Sequence, residues 1–237
     1  MTFTVLYDNS TRDPSILSGW GFSCLIDEHI LLDTGEAPDS LFHNMDRLNV
    51  NPEKIESVVI SHDHWDHTGG LWELLKKRKG LKVYACPGFS SEFKKRVTAL
   101  KGTLIESGDC RAIDTQASVT GEIPGQYKGA PMPEQALIVK TGAGIGIITG
   151  CSHPGIVTMV EKAKKISPDL PISLVLGGFH LMTEDLETID SVASALMKMG
   201  VQKIGPTHCT GETARTIFQK HFGDRVIPVF AGKQLDL

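Results

Sequence analysis

The sequence predicts an α/β fold of two packed sheets with helices on their outer faces. Two observations point there. Short β-branched runs dominate the first third of the chain, and each half opens with strands and then alternates strand with helix. A third, the lack of any linker or short repeat, suggests that residues 1–237 form one domain. Length alone allows one or two.

The elements follow in order. Phe3–Tyr7, Gly21–Ile26 and His29–Asp33 read as strands, the last two joined by a tight turn at Asp27-Glu28. Ser40–Leu48 places Leu41, Phe42, Met45 and Leu48 at helical spacing. Ser57–Ile60 reads as a short buried strand. A helix follows Gly70 and ends near Gly80, Leu81–Ala85 is a strand, and Ser91–Leu100 is helical. Ser107–Glu134 has several Gly and Pro and little periodicity. It reads as a long irregular segment at about 107–134, either a lid over a site or a surface insertion. Gln135–Lys140 and Ile145–Thr149 read as paired strands around a Thr141–Gly146 turn. Gly155–Ile166, Glu184–Met199 and Gly211–Phe222 read as helices. Ile172–Leu176, Gln202–Gly205 and Val226–Val229 read as strands. The Glu184–Met199 helix aligns Leu186, Ile189, Val192, Ala193, Leu196 and Met199 on one face.

Composition narrows the function. A net charge of −4 gives no electrostatic footprint for nucleic acid or an anionic membrane. The five cysteines are scattered and form no C-x-x-C pair, which fits a reducing cytoplasm better than a disulfide framework. The N-terminus has no signal-peptide pattern. The uncharged stretch Thr141–Val160 is broken by glycines and a proline and does not read as a membrane span.

The chemistry concentrates in ISHDHWDHTGG, Ile60–Gly70. His62 and His64 lie two apart in an extended segment, so they point to one side and can reach one ion. Asp63 then points away. The chain turns next and aims Asp66 and His67 nearby. Neutral imidazole with carboxylate suits zinc, iron or manganese. Three further histidines each follow an apolar strand: His153 in GCSHPG, His180 in LVLGGFHL and His208 in GPTHCTG. Strand-end loops commonly carry sites. His29, His43 and His221 lack that context and read as turn or surface positions. Cys151 and Cys209 read as small buried residues rather than ligands. Trp65 reads as a pocket wall or as packing beneath the loop.

LLDTG at Leu31–Gly35, SHDHWDHTGG, His153 and His208 together resemble the metallo-β-lactamase superfamily, over essentially the whole chain. The resemblance implies a four-layer αββα sandwich and a binuclear metal site. It implies that His62, His64 and His153 hold one divalent ion, that Asp66, His67 and His208 hold the second, and that Asp33 orients a ligand from outside. Zinc is the first choice on ligand type, with manganese, magnesium or iron as alternatives. In many members a Gly-Asp pair supplies a bridging aspartate. Here Gly177-Gly178-Phe179-His180 stands in that place, so His180 is a possible ligand or a catalytic group facing substrate. YDNS, GCSHPG, GGFHL and THCTG resemble one branch. It includes a synthase that joins a hydroxymethyl-dihydropterin diphosphate to a ribofuranosyl-aminobenzene phosphate.

The first expectation is a hydrolase of an ester, lactone or phosphoester, with Asp66 and His180 catalytic and water activated at two metals. The alternative is the pterin synthase, in which the 107–134 segment excludes water and Tyr127 and Lys128 meet an aromatic ring or a phosphate. A third reading is a metal-binding module without catalysis. The expected partner is a small molecule, phosphorylated or a pterin, with no nucleic acid and no membrane.

Overall fold

The structure, a computed structural model, describes residues 1–237. The chain divides into two compact units, residues 1–108 with 230–237, and residues 109–229.

The first unit is built on a seven-stranded sheet. β1 (Thr2–Tyr7), β2 (Ser23–Ile26) and β3 (Ile30–Leu32) form an antiparallel meander. Asp27 and Glu28, at φ 42° and 66°, make the tight turn between β2 and β3. After α1 (Pro38–Arg47) come β4 (Ser57–Val59), the short helix α2 (Trp65–Thr68), α3 (Leu71–Lys77), β5 (Lys82–Ala85), α4 (Ser91–Ala99) and β6 (Thr103–Glu106). β3, β4, β5 and β6 pair in parallel. Leu41 and Met45 of α1, Leu71, Leu74 and Leu75 of α3, and Phe93 and Val97 of α4 bury against Leu31, Val58 and Val83. The apolar period of each helix therefore sets the face that meets the sheet.

The second unit has a six-stranded sheet. Its antiparallel edge is β7 (Arg111–Ala112) and β8 (Ala117–Val119). A separate hairpin, β9 (Gln126–Tyr127) with β10 (Ala130–Pro131), projects before β11 (Leu137–Thr141). β12 (Gly144–Thr149) pairs with β11 through the Gly142-Ala143 turn. α5 (Ile156–Ile166), β13 (Ile172–Gly178), α6 (Leu186–Lys198), β14 (Lys203–Thr207) and α7 (Glu212–Phe222) complete the unit. β12, β13 and β14 are parallel neighbours. β12 and β13 are buried along their whole length, as strands packed on both faces are.

Several expectations need correction. The 107–134 segment is not wholly irregular, because β8 joins the main sheet beside β11 and β9–β10 is a hairpin. Val226–Val229 is no strand and makes only an isolated bridge from Val226 to Ile204. The last strand is Gln234–Asp236, which pairs with Thr2–Thr4 of β1. Leu186 starts α6 but is 64% exposed, and the buried face of that helix begins only at Ile189. No helix is long and apolar enough to cross a membrane, and no disulfide joins the cysteines.

Candidate metal-ligand sets

Ligands in open α/β sheets gather where parallel strands end. In the first unit the carboxyl end of β4 runs through Ile60 into His62, His64, Asp66 and His67. His62 and His67 are fully buried, with ring centroids 4.2 Å apart. His62 Nε2 lies 3.1 Å from His64 Nδ1. Two nitrogens on one tetrahedral zinc at Zn–N of 2.0–2.1 Å stand about 3.3 Å apart. The pair is therefore set at the spacing that two ligands of one cation need. Asp63 turns the other way and accepts a hydrogen bond from the Ser90 amide at 2.8 Å.

Asp33 organises this set. Its Oδ2 accepts from His67 Nδ1 at 2.7 Å and from Ser61 Oγ at 2.7 Å. Its Oδ1 accepts from the Ser61 amide at 2.7 Å. The Ser61 hydroxyl spends its one proton on Asp33, so at 2.9 Å it accepts from His62 Nδ1. Both tautomers are then fixed, and both rings present Nε2 on the opposite side. Asp66 Oδ2 lies 3.5 Å from His67 Nε2. Burial pushes the Asp33 carboxyl above the ordinary value, and its contacts with His67 and Ser61 only partly offset this.

The neighbouring residues explain the motif's glycines. Thr34 Oγ1 donates to the His67 carbonyl at 2.8 Å and accepts from the Leu71 amide at 3.0 Å, which ties LLDTG to the histidine loop. At Gly69 a Cβ would sit 1.9 Å from the Glu36 carbonyl oxygen, so only glycine allows that approach.

In the second unit, β12, β13 and β14 end beside one another and deliver His153, His180 and His208. The His153 and His180 ring centroids are 4.6 Å apart. Gly178 allows the β14 loop to approach, since a Cβ there would meet Cys209 Sγ at 2.7 Å and His208 Cδ2 at 3.3 Å. His153 is held by Glu134, a fully buried carboxylate just before β11. Glu134 Oε2 accepts from His153 Nδ1 at 3.0 Å and from the His153 amide at 2.8 Å. Its Oε1 accepts from the amides of Cys151 at 2.9 Å and Ser152 at 2.8 Å. Burial pushes Glu134 up, but the His153 contact and the backbone N–H groups outweigh it and leave the carboxyl below its usual value. His153 thus presents Nε2, as His67 does.

His180 Nδ1 is buried with no hydrogen-bond partner. The donor atoms of Cys151, His153 and His180 all lie within 4.8 Å of one another, a grouping able to hold a metal ion. The neighbouring Cys209 thiol raises the His180 imidazole pKa, against the lowering effect of burial. Burial pushes the Cys209 thiol up, but its contacts with Cys151, His180 and His208 outweigh that and bring it well below the usual value. Both cysteines are buried, and Cys209 Sγ donates to the Cys151 carbonyl at 3.6 Å. The Tyr127 ring meets His153 and His180 edge-on, with centroids 5.3 and 5.7 Å away. Lys128 Nζ folds back to 5.0 Å over the Tyr127 ring. Trp65 is 63% exposed and lines a cavity of the first unit with Trp72, Phe93 and Arg96.

Asp33, Ser152, His180 and His208 all have positive φ, between 51° and 67°. Strained backbone of this kind clusters at functional positions, at about 1–3 kcal/mol each. Sequence reasoning missed Ser61, Glu134 and the cysteines' contacts. Ser61 had a usable signal, because a hydroxyl precedes the first ligand. Glu134 had none, since its partners lie 17–19 residues further along.

The family model described as "Metallo-beta-lactamase superfamily" matches residues 23–163. The chain belongs to the metallo-beta-lactamase superfamily. It is 33% identical to the 7,8-dihydropterin-6-methyl-4-(β-D-ribofuranosyl)-aminobenzene-5'-phosphate synthase of Methanocaldococcus jannaschii, over 98% of this chain and 94% of that one. Among solved structures, a metal-dependent hydrolase of the beta-lactamase superfamily is 28% identical at a TM-score of 0.83, covering 100% of this chain and 99% of that one. A metallo-beta-lactamase fold protein from Bacillus subtilis shares the fold at a TM-score of 0.70 and 16% identity, with 99% of each chain covered. The metallo-beta-lactamase fold is thus the fold of this chain.

Proposed function

We propose that the chain is a metal-dependent synthase that couples a dihydropterin, activated as its diphosphate, to an aminobenzene ribosyl phosphate. The observation that carries this reading is the match to the synthase over nearly the whole of both chains. Tyr127, packed edge-on against His153 and His180, supports it by offering an aromatic ring beside these imidazoles to a flat substrate.

On the superfamily's pattern, His62, His64 and His153 hold one divalent cation, and Asp66, His67 and His208 hold the other, with His180 available as a further ligand. The donor chemistry fits. Asp33 and Glu134 orient His67 and His153 through Nδ1, the carboxylate–histidine arrangement that metal-binding imidazoles use. Zinc is the first choice on ligand type. When bound, such cations neutralise the charge that develops on a diphosphate leaving group.

The chain's own groups position the reactants. The amine nitrogen forms a bond to the exocyclic methylene of the pterin as the carbon–oxygen bond to diphosphate breaks. The amine proton passes to Asp66 or His180. Water competes with the amine, and we assign its exclusion to the β9–β10 hairpin. Lys128 on that hairpin is the cation available to a phosphate. We place the reaction in the cytoplasm.

The second reading is hydrolysis of an ester, lactone or phosphoester by the same ligands, favoured by the 28% identical hydrolase. A product assay separates the two. Protein loaded with zinc, manganese, magnesium or iron receives hydroxymethyl-dihydropterin diphosphate, with and without the aminobenzene ribosyl phosphate. Mass spectrometry then reads the products. A coupled C–N product with free diphosphate supports the synthase. Hydrolysed pterin in both tubes, without coupling, supports the hydrolase and overturns the first reading.

A further inference from the structure

Beside His153 and His180 the second unit has a cavity of about 340 Å³. That lies near the lower end of the range for ligand cavities, about 300–1,000 Å³. Ile156, Val157, Phe179 and Leu181 give it apolar walls. Its polar groups are few. Gln126 comes from the β9–β10 hairpin, and Glu184 and Thr188 come from the start of α6 and the turn before it. No lysine or arginine lines it.

We infer that this cavity holds the pterin ring, with Glu184 accepting hydrogen bonds from its 2-amino group and N3–H. The inference rests on the synthase reading and adds the ring's place and the residue that selects it. Three arguments carry it. Apolar walls of this size suit a flat bicyclic ring. Away from the His153 and His180 end, a phosphate or diphosphate would meet the Glu184 carboxylate with no lysine or arginine to offset it, so those groups belong elsewhere. A carboxylate matches two adjacent N–H donors in a paired, charge-assisted contact, as it matches the fork of an arginine. The aminobenzene ring offers only the amine that reacts, and its ribosyl hydroxyls carry a phosphate that the Glu184 carboxylate repels. With the ring here, its reactive substituent lies at the His153 and His180 end, and Gln126 closes over the ring from the hairpin.

The test uses the full chain and two fluorescent probes. One is 6-hydroxymethylpterin. The other is 6-hydroxymethyllumazine, in which an oxo group replaces the 2-amine. Wild type binds the pterin more tightly than the lumazine. Glu184→Gln weakens pterin binding about 10- to 100-fold and narrows that preference, as loss of a hydrogen bond to a charged group does. Thr188→Trp, which fills the mouth, removes binding of both probes. Metal content per chain stays at the wild-type value in both variants. Pterin binding that neither variant changes overturns the pocket assignment and leaves the synthase reading standing. Wild type that binds no pterin overturns the pocket assignment, and the product assay then decides the synthase reading by itself. Loss of metal in Glu184→Gln means that this carboxylate serves the ions, and it overturns the assignment.

Discussion

At the residue scale, two buried carboxylates govern the candidate ligands, and each predicts a measurable loss. Asp33 fixes His67 directly and His62 through Ser61. Asp33→Asn can keep the size but has no second anionic oxygen for both partners. We expect metal affinity to fall about 10- to 100-fold, read by competition with a chelator of known affinity. Unchanged affinity would mean that Asp33 serves packing alone. Glu134 has a heavier duty, since it receives three backbone N–H groups as well as His153 Nδ1. Glu134→Ala strands those buried donors. The cost is about 3–5 kcal/mol for removing one partner of a buried pair, or roughly 6–20 °C in melting temperature for a chain of this size. Calorimetry in the presence of chelator separates this from any effect of metal. The histidines were legible because their chemistry is local to His62–His67 and to strand ends. Glu134 was not, because a carboxylate ahead of an apolar run looks like any strand-entry residue until the β12 loop folds back on it.

At the scale of elements, legibility followed the local apolar period. α1, α4, α5, α6 and α7 fell close to their expected places because each buries one face. β6 and the strand Gln234–Asp236 escaped notice, because they are short, partly exposed and defined by partners distant in sequence. The same holds for β8, whose strand character comes from pairing with β11 rather than from its own residues. α6 offers a clean test of an element boundary. Asp185 is its N-cap and accepts from the Thr188 amide at 2.7 Å. That bond holds the Asp185 carboxyl below its ordinary value. A depressed carboxylate pKa means that the stabilisation is present above the ordinary value of about 4 and is lost as pH falls further. Asp185→Ala should therefore lower the melting temperature at pH 7, and the gap to wild type should close below about pH 4. Asp185→Asn keeps a capping oxygen without the charge, so it should lie between the two at pH 7. A gap for Asp185→Ala that is constant across acid pH would rule out the charged cap.

At the scale of the whole molecule, each compact unit carries its own set of proposed ligands: His62, His64, Asp66 and His67 in the first, His153 and His208 in the second. On that assignment, metal binding is part of the folding free energy of each unit. A cation at about a thousandfold its dissociation constant stabilises the native state by about 4 kcal/mol. For a chain of this length that is roughly 8–16 °C. Chelation should lower the melting temperature by that order. It should also speed amide exchange at the ends of β4 in the first unit and of β12 and β14 in the second. His64→Ala should reproduce part of the loss in the first unit. The comparison decides between arrangements. Loss of protection in both units supports cations held by both ligand sets. Loss confined to the second unit would place the metal on Cys151, His153 and His180, whose donor atoms already lie within 4.8 Å of one another. A melting temperature that does not respond to chelation would leave the His62–His67 cluster without the cation that its crowded charges require.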